Sequence, residues 1–238
     1  MDVLESHLSR QAEVSQDFFW NRLRWELVSR ELGSDCTRIV DVGAGPGFLG
    51  DYLSCQREDL EYWFVEPIEP LQRSLVDRFG ADANRRDRKF PGASHVTLMD
   101  VLEHQEDDRA FLADLTEKMD PGATLLLTVP AMSSLWSAWD ARLGHYRRYS
   151  KEGLRAAIAS LPLRIEEESY LFPELIPLGL LRRLRNPDGG DGGSEGAEFP
   201  ELPKTLNDVL YGIGRMTVRR RRFWPAGTSL YARLRHRG

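Results

Sequence analysis

Short apolar runs alternate with amphipathic stretches along most of the chain. "RIVDV" at Arg38 to Val42, "EYWFVE" at Glu61 to Glu66, "HVTLMD" at His95 to Asp100 and "ATLLLTVP" at Ala123 to Pro130 read as strands. Between them, helical spacing predicts helices over about Gly47 to Cys55, Glu69 to Phe79 and Asp107 to Met119, the last stopped by Pro121 and Gly122. Ala83 to Asp87 is a weaker extended stretch. Strands separated by helices predict a largely parallel sheet with helices on both faces.

The flanks extend the pattern. "VSQDFFWNRLRWELVSREL", Val14 to Leu32, sets aromatic and aliphatic residues at helical spacing behind Ser15 as a cap. "SKEGLRAAIASL" predicts a helix opening at Ser150, "LRIEEESY" from Leu163 a strand, and "TSLYARLR" from Thr228 a last strand. An insertion separates those two strands. It begins with "LFPELIPLGLLRRL", apolar and proline-broken, continues through the linker-like "NPDGGDGGSEGAE" at 186–198, and ends in a helical stretch from about Lys204 to Val218. The piece beyond the linker is too short to fold alone, so one domain is expected.

Composition narrows the classes. With 238 residues and 41% hydrophobic content, the chain can bury one full core. Its formal charge of −5 hides an asymmetry, because from Tyr211 onward there is no Asp, Glu or Lys but eight arginines, four of them consecutive at Arg219 to Arg222. Cys36 and Cys55, without partners in ligand spacing, support neither a disulfide framework nor a zinc site, and a reduced cytoplasmic setting is expected. The charged N-terminus has no signal-peptide core, and no run approaches the roughly 18 to 20 apolar residues of a membrane span.

The chemistry concentrates in "RIVDVGAGPGFLGDYL", Arg38 to Leu53. Gly45, Gly47 and Gly50 fit the G-x-G-x-x-G turn that seats a pyrophosphate on a helix N-terminus. Asp41, Gly43, Gly45 and Gly47 fit D-x-G-x-G-x-G, in which a carboxylate at the strand end suits a cation and bare glycines let backbone approach a small ligand. S-adenosylmethionine carries an ammonium and a sulfonium but no phosphate, so the acid favours it over NAD(P). Glu66 can accept hydrogen bonds from ribose hydroxyls in either case.

"VDVGAGPGFLGDYL", then "FVEP", then "LMDVLEHQEDDRAFLADLTEKMDPGATLLLTVPA" resembles the class I S-adenosylmethionine-dependent methyltransferases, particularly the small-molecule type with a D-V-L-E-H segment. "DFFWNRLRW", "LWSAWDARLGHYRRYS" and "FWPAGTSLYARLR" are similar to segments of one subgroup, although the subgroup's N-terminal histidine is Asp17 here and its usual Phe-Asp is Ser94-His95. The resemblance implies a seven-stranded, mostly parallel Rossmann-like sheet. It implies an N-terminal lid helix over 1–34, a cofactor core over 35–170, an acceptor-shaping insertion over 171–222, and a last strand with basic tail over 223–238. It implies that Asp41, Gly43, Ala44, Gly45 and Gly47 hold the methionine portion, Glu66 and Pro67 the ribose region, Asp87 the adenine, and Met99, Asp100 and Val101 the pocket end, with His104 either facing the cleft or buttressing the cofactor loops.

The expected function is in-line transfer of a methyl group to a small-molecule acceptor, possible rivals being a non-catalytic regulatory paralogue and an NAD(P) oxidoreductase. His145 is the base candidate and Asp140 its partner, since an imidazole titrates near neutral pH. Arg147, Arg148 and Tyr149 suit an anionic acceptor, and Phe18, Phe19, Trp20, Trp136 and Trp139 suit a lid or substrate wall. The arginine run suits a solvated basic face or, with the apolar insertion, a lipid-linked acceptor or peripheral membrane contact through 171–222. No nucleic-acid motif accompanies the run, so no nucleic-acid partner is expected.

Overall fold

The computed structural model describes residues 18–185 and 202–238. The expected helix start at Val14 with its Ser15 cap, Asp17, and the glycine-rich 186–198 stretch lie outside these described residues. The apolar runs form β1 (Arg38–Val42), β2 (Glu61–Val65), β3 (His95–Met99), β4 (Thr124–Pro130), β5 (Leu163–Leu171) and β6 (Ser229–His236). They join in one sheet of order β2-β1-β3-β4-β6-β5. β1 pairs in parallel with β2 and β3, and β3 with β4, while β6 runs antiparallel between β4 and β5. Every residue of β4 is buried, which accounts for its apolar character, broken only by Thr124 and Thr128. Strand order reverses at the β1/β3 boundary, and a crevice forms there outside the carboxyl ends of the strands.

Among the described residues the sheet has six strands, not the expected seven. Ala83 to Asp87 contributes only a parallel bridge from Asn84 to Phe64 and a 2.8 Å bond from the Arg85 amide to the Phe64 carbonyl. "ANRRD" supplies one buried apolar side chain, Ala83, and so has no face with which to anchor a longer edge strand.

The helices are α1 (Phe19–Glu31), α2 (Phe48–Ser54), α3 (Glu69–Phe79), α4 (Asp108–Lys118), α5 (Ala138–Arg142), α6 (Lys151–Ile158), α7 (Ile176–Arg185) and α8 (Lys204–Arg219). Caps set several boundaries: Asp107 accepts from the Ala110 amide at 2.9 Å and Ser150 from the Gly153 amide at 3.1 Å. Pro177 does not break the insertion, because it falls in the first turn of α7, where its missing N–H costs nothing.

α1 crosses the crevice and is held from several sides. Its Phe19 amide donates to Asn207 Oδ1 of α8 at 2.9 Å, and the Tyr211 hydroxyl bonds Glu26. Gly214 permits the close approach, since a Cβ there would stand 2.4 Å from Leu23 Cδ1. On the other side Trp25 packs against Phe48 and Tyr52 of α2, and Trp20 stacks on Phe172 with centroids 4.6 Å apart. At its end Glu31 receives Arg221 at 2.6 Å and Arg233 at 2.8 Å.

The arginine run is thereby divided. Arg221 and Arg222 each donate to Glu167 at 2.7 Å, whereas Arg219 and Arg220 face solvent. Burial acts to raise Glu167, but Arg222 and Arg221 outweigh it and hold the carboxyl down at about 2. No helix among the described residues is long and apolar enough to cross a membrane.

Candidate active site

The turn after β1 forms a glycine cradle. Gly43, Gly45 and Gly47 have φ of +74°, +54° and +79°, conformations in which a Cβ is strained. Each serves a different end. A Cβ on Gly43 would stand 2.4 Å from Val101 Cγ2, so this glycine lets two cleft loops touch. On Gly47 it would meet Leu75 and Arg78, which makes Gly47 a helix-packing position facing away from the cleft. At Gly45 it would meet no atom of the described residues within 4 Å, because that α-carbon borders the open cleft. Gly50, the third glycine of the dinucleotide register, packs α2 onto Tyr62 and Phe79.

Two carboxylates brace the cradle. Glu66 Oε2 accepts the Gly45 amide at 2.7 Å and Oε1 the Ile68 amide at 2.8 Å, leaving a lone pair on each oxygen for a further donor. Burial pushes Glu66 up despite those bonds. Asp41 receives the Tyr62 hydroxyl at 2.8 Å and Thr97 Oγ1 at 2.7 Å, and burial raises it also. Both Asp41 oxygens are thus engaged within the sheet. Bare α-carbons beside a carboxylate suited to a ribose diol fit S-adenosylmethionine.

Beyond β3, Asp100 adopts φ +54°, a left-handed conformation that Asp tolerates better than most residues. Its Oδ1 accepts from Thr128 Oγ1 at 2.8 Å and its Oδ2 forms an ion pair with Arg24 of α1. Burial lowers Arg24 to about 9, opposed by Glu103, so it remains charged at neutral pH. Glu103 is pushed up to about 8 by burial and therefore keeps its proton at neutral pH. Glu103, His104 and His145 each place a ligand atom within 4.8 Å of the others, a set that could hold a divalent ion once Glu103 loses that proton.

The segment after β4 builds a dyad. Asp140 forms a capping box with Ser137 on α5, and its carboxylate also takes His145 Nδ1 at 3.1 Å and Arg148 Nε at 2.7 Å. Burial acts to raise Asp140, but the bonds from His145 and Arg148 prevail and hold it below the usual range. Because Nδ1 faces Asp140, the proton is assigned to that nitrogen, which leaves Nε2 as an acceptor. His145 sits edge-on to His104, with ring centroids 4.7 Å apart.

These groups share one cleft of about 670 Å³. Asp41, Gly43, Ala44, Gly45, Glu66, Pro67, Asp87, Met99, Asp100, Val101 and His104 line it, as do Trp20, Trp139, His145 and Arg148. Gly47, Phe19, Trp136, Arg147 and Tyr149 do not, and Asp140 stands behind His145. Phe19 is core beneath α8. Arg147 is engaged by Asp108 at 3.0 Å, and the buried Tyr149 hydroxyl donates to the same carboxylate at 2.8 Å. Sequence reasoning missed Arg24, Glu103 and Arg182, which also line the cleft. The available signals were an arginine among the apolar positions of α1 and the glutamate inside "DVLEH".

A family model described as a methyltransferase domain matches residues 13–168, more than half of the chain. Among solved structures, a chain from the complex between the Haloferax volcanii Trm112 methyltransferase activator and a methyltransferase aligns with TM-score 0.65 and 14% identity, covering 100% of this chain and 99% of that one. A SAM-dependent methyltransferase from Archaeoglobus fulgidus aligns with TM-score 0.50 and 16% identity, over 90% and 94%. Haemonchus contortus phosphoethanolamine N-methyltransferase 2, solved with S-adenosyl-L-methionine, aligns with TM-score 0.56 and 14% identity, over 92% of this chain and 52% of that one. No curated protein matches the sequence. The family match, together with a glycine cradle that fits the donor, decides between the two readings of the turn: the chain belongs to the methyltransferase-domain family and is an S-adenosylmethionine-dependent methyltransferase.

Proposed function

We propose that this enzyme methylates a small-molecule acceptor, with His145 as general base and Asp140 as the group that orients it. The observation that carries this reading is the opening of the glycine cradle and of the Asp140–His145 pair into the same cleft. S-adenosylmethionine, when bound, supplies a methyl group bonded to a cationic sulfur. The chain's part is to position a nucleophile in line, keep water out and hold a proton. Gly45 and Glu66 bind the donor. Trp20 and Trp139 close the acceptor side against water. His145 Nε2 takes the acceptor's proton while the Asp140 carboxylate stabilises the resulting imidazolium.

A lipid-linked or amphipathic acceptor is supported by the insertion, where Leu178, Leu180, Leu181 and Leu184 of α7 and Val209, Ile213 and Met216 of α8 are exposed. The test is S-adenosylhomocysteine release across an acceptor panel, paired with calorimetry. With the true acceptor, His145→Gln is expected to lower kcat by about 10²- to 10⁴-fold while leaving S-adenosylhomocysteine affinity unchanged. Unchanged turnover in the variant would remove the base assignment. Donor binding without turnover of any acceptor would favour the regulatory paralogue.

A further inference from the structure

The cleft is electrically divided. Its donor end carries Asp41, Glu66 and Asp87 against Arg86, whereas its acceptor end carries Arg148 and Arg182, with Glu103 pushed up by burial beside Arg148, between apolar walls from Leu135, Trp139, Leu143, Leu175 and Leu178. The acceptor-end cations differ in their engagement. Arg148 is committed to Asp140 through Nε at 2.7 Å and Nη2 at 3.1 Å, and to the Ala131 carbonyl through Nη1 at 3.0 Å. Arg182 of α7 makes no ion pair among the described residues and lies with its guanidinium carbon 4.4 Å from the centre of the Trp139 ring. Asp140 is the anion that acts on Arg182, and Arg148 and His145 already hold it. Burial lowers Arg182, with Asp140 opposing and Arg148 reinforcing. The side chain is therefore a half-buried cation held against an aromatic face, and among the described residues no acceptor occupies its donor edges, which suit a planar anion.

Resting on the reading of this cleft as an acceptor pocket, we infer that Arg182 is its anion-recognition residue. The acceptor it selects is an amphiphile whose carboxylate or phosphate docks on the guanidinium while its apolar body lies along Trp139, Leu175 and Leu178. The anion site thus falls on the insertion, and the expected Arg147 and Tyr149 are consumed by Asp108. A forked guanidinium suits both anions, and the two sources separate experimentally.

The experiment is calorimetry on the full chain loaded with S-adenosylhomocysteine, using decanoate, decyl phosphate and decanol below their aggregation limits. At least one of the two anions is expected to bind, and Arg182→Gln to weaken it tenfold or more while leaving decanol unchanged. The anion that loses more names the headgroup. Arg182→Lys, which keeps the charge but not the fork, is expected to fall between. Exposed Arg220→Gln, the control for adsorption to the basic surface, is expected to bind as the wild type. Equal anion binding by wild type and Arg182→Gln, an equal loss in Arg220→Gln, or no anion binding by wild type would overturn the inference. Failure of S-adenosylhomocysteine to bind would instead strike the proposed function, and unchanged affinity for it in Arg182→Gln shows that the variant is folded.

Discussion

Gly43 and Gly45 are both left-handed glycines in one turn, yet the structure gives them separate duties. Gly43→Ala would drive a methyl group into Val101, 2.4 Å away, on top of the strain of φ +74°. It is expected to cost about 1–3 kcal/mol of stability and to shift the loop carrying Val101. Gly45→Ala meets no atom of the described residues and incurs the backbone strain, about 1–2 kcal/mol, while placing a methyl group in the cleft. Urea denaturation alongside S-adenosylhomocysteine calorimetry separates the two: Gly43→Ala should lose more stability, and Gly45→Ala should lose cofactor affinity out of proportion to its stability. Equal affinity in wild type and Gly45→Ala would move the donor away from this α-carbon. Asp140 shows the same economy in another form, since one carboxylate caps α5, orients His145 and neutralises Arg148.

At the level of elements, the distinctive arrangement is the pairing of α1 with α8, segments almost 200 positions apart in sequence. Their seam depends on Gly214, where a side chain would collide with Leu23 and crowd Glu174. Gly214→Val is expected to overpack it at a cost of about 1–3 kcal/mol, read as a lower urea midpoint. Because Trp20 and Arg24 of α1 line the cleft, the same change should weaken acceptor binding more than donor binding. The bridged segment from Ala83 to Asp87 belongs to this scale as well. Its polar residues leave Asp87 at the cleft edge through one bridge and one amide bond, so this wall of the cleft is secured by Phe64 of β2 rather than by a ladder.

Across the whole molecule, buried carboxyls set the response to pH. Glu103 is held at about 8, against about 4.3 in an unfolded chain. Between those values the folded chain binds a proton that the unfolded chain has released. The sign follows directly: this contribution to stability is complete below the unfolded value and is lost as pH rises through 8. Glu103→Gln cannot ionise, so its thermal midpoint should fall less than that of the wild type from roughly pH 5 to 9. Parallel curves would mean that Glu103 is ionised in the folded state. Asp41 and Glu66 shift in the same direction in both proteins and cancel from the comparison.

Local rules were enough to place β1 to β4, the capped helices and the glycine turn, since each depends on neighbours in sequence: apolar runs, Asp107 and Ser150 as caps, glycines where φ is positive. That the residues from Asp41 to Val101 line one cleft was readable for the same reason, because strand ends in an open parallel sheet converge on one edge. The acceptor side was decided by tertiary structure. Whether an arginine is a site or a brace depends on which carboxylate comes within about 3 Å, and those carboxylates arrive from remote segments: Asp108 takes Arg147, Glu167 takes Arg221 and Arg222, and Asp140 takes Arg148. Arg182, which the sequence did not single out, is set apart because among the described residues the anion that acts on it, Asp140, is already held by Arg148 and His145.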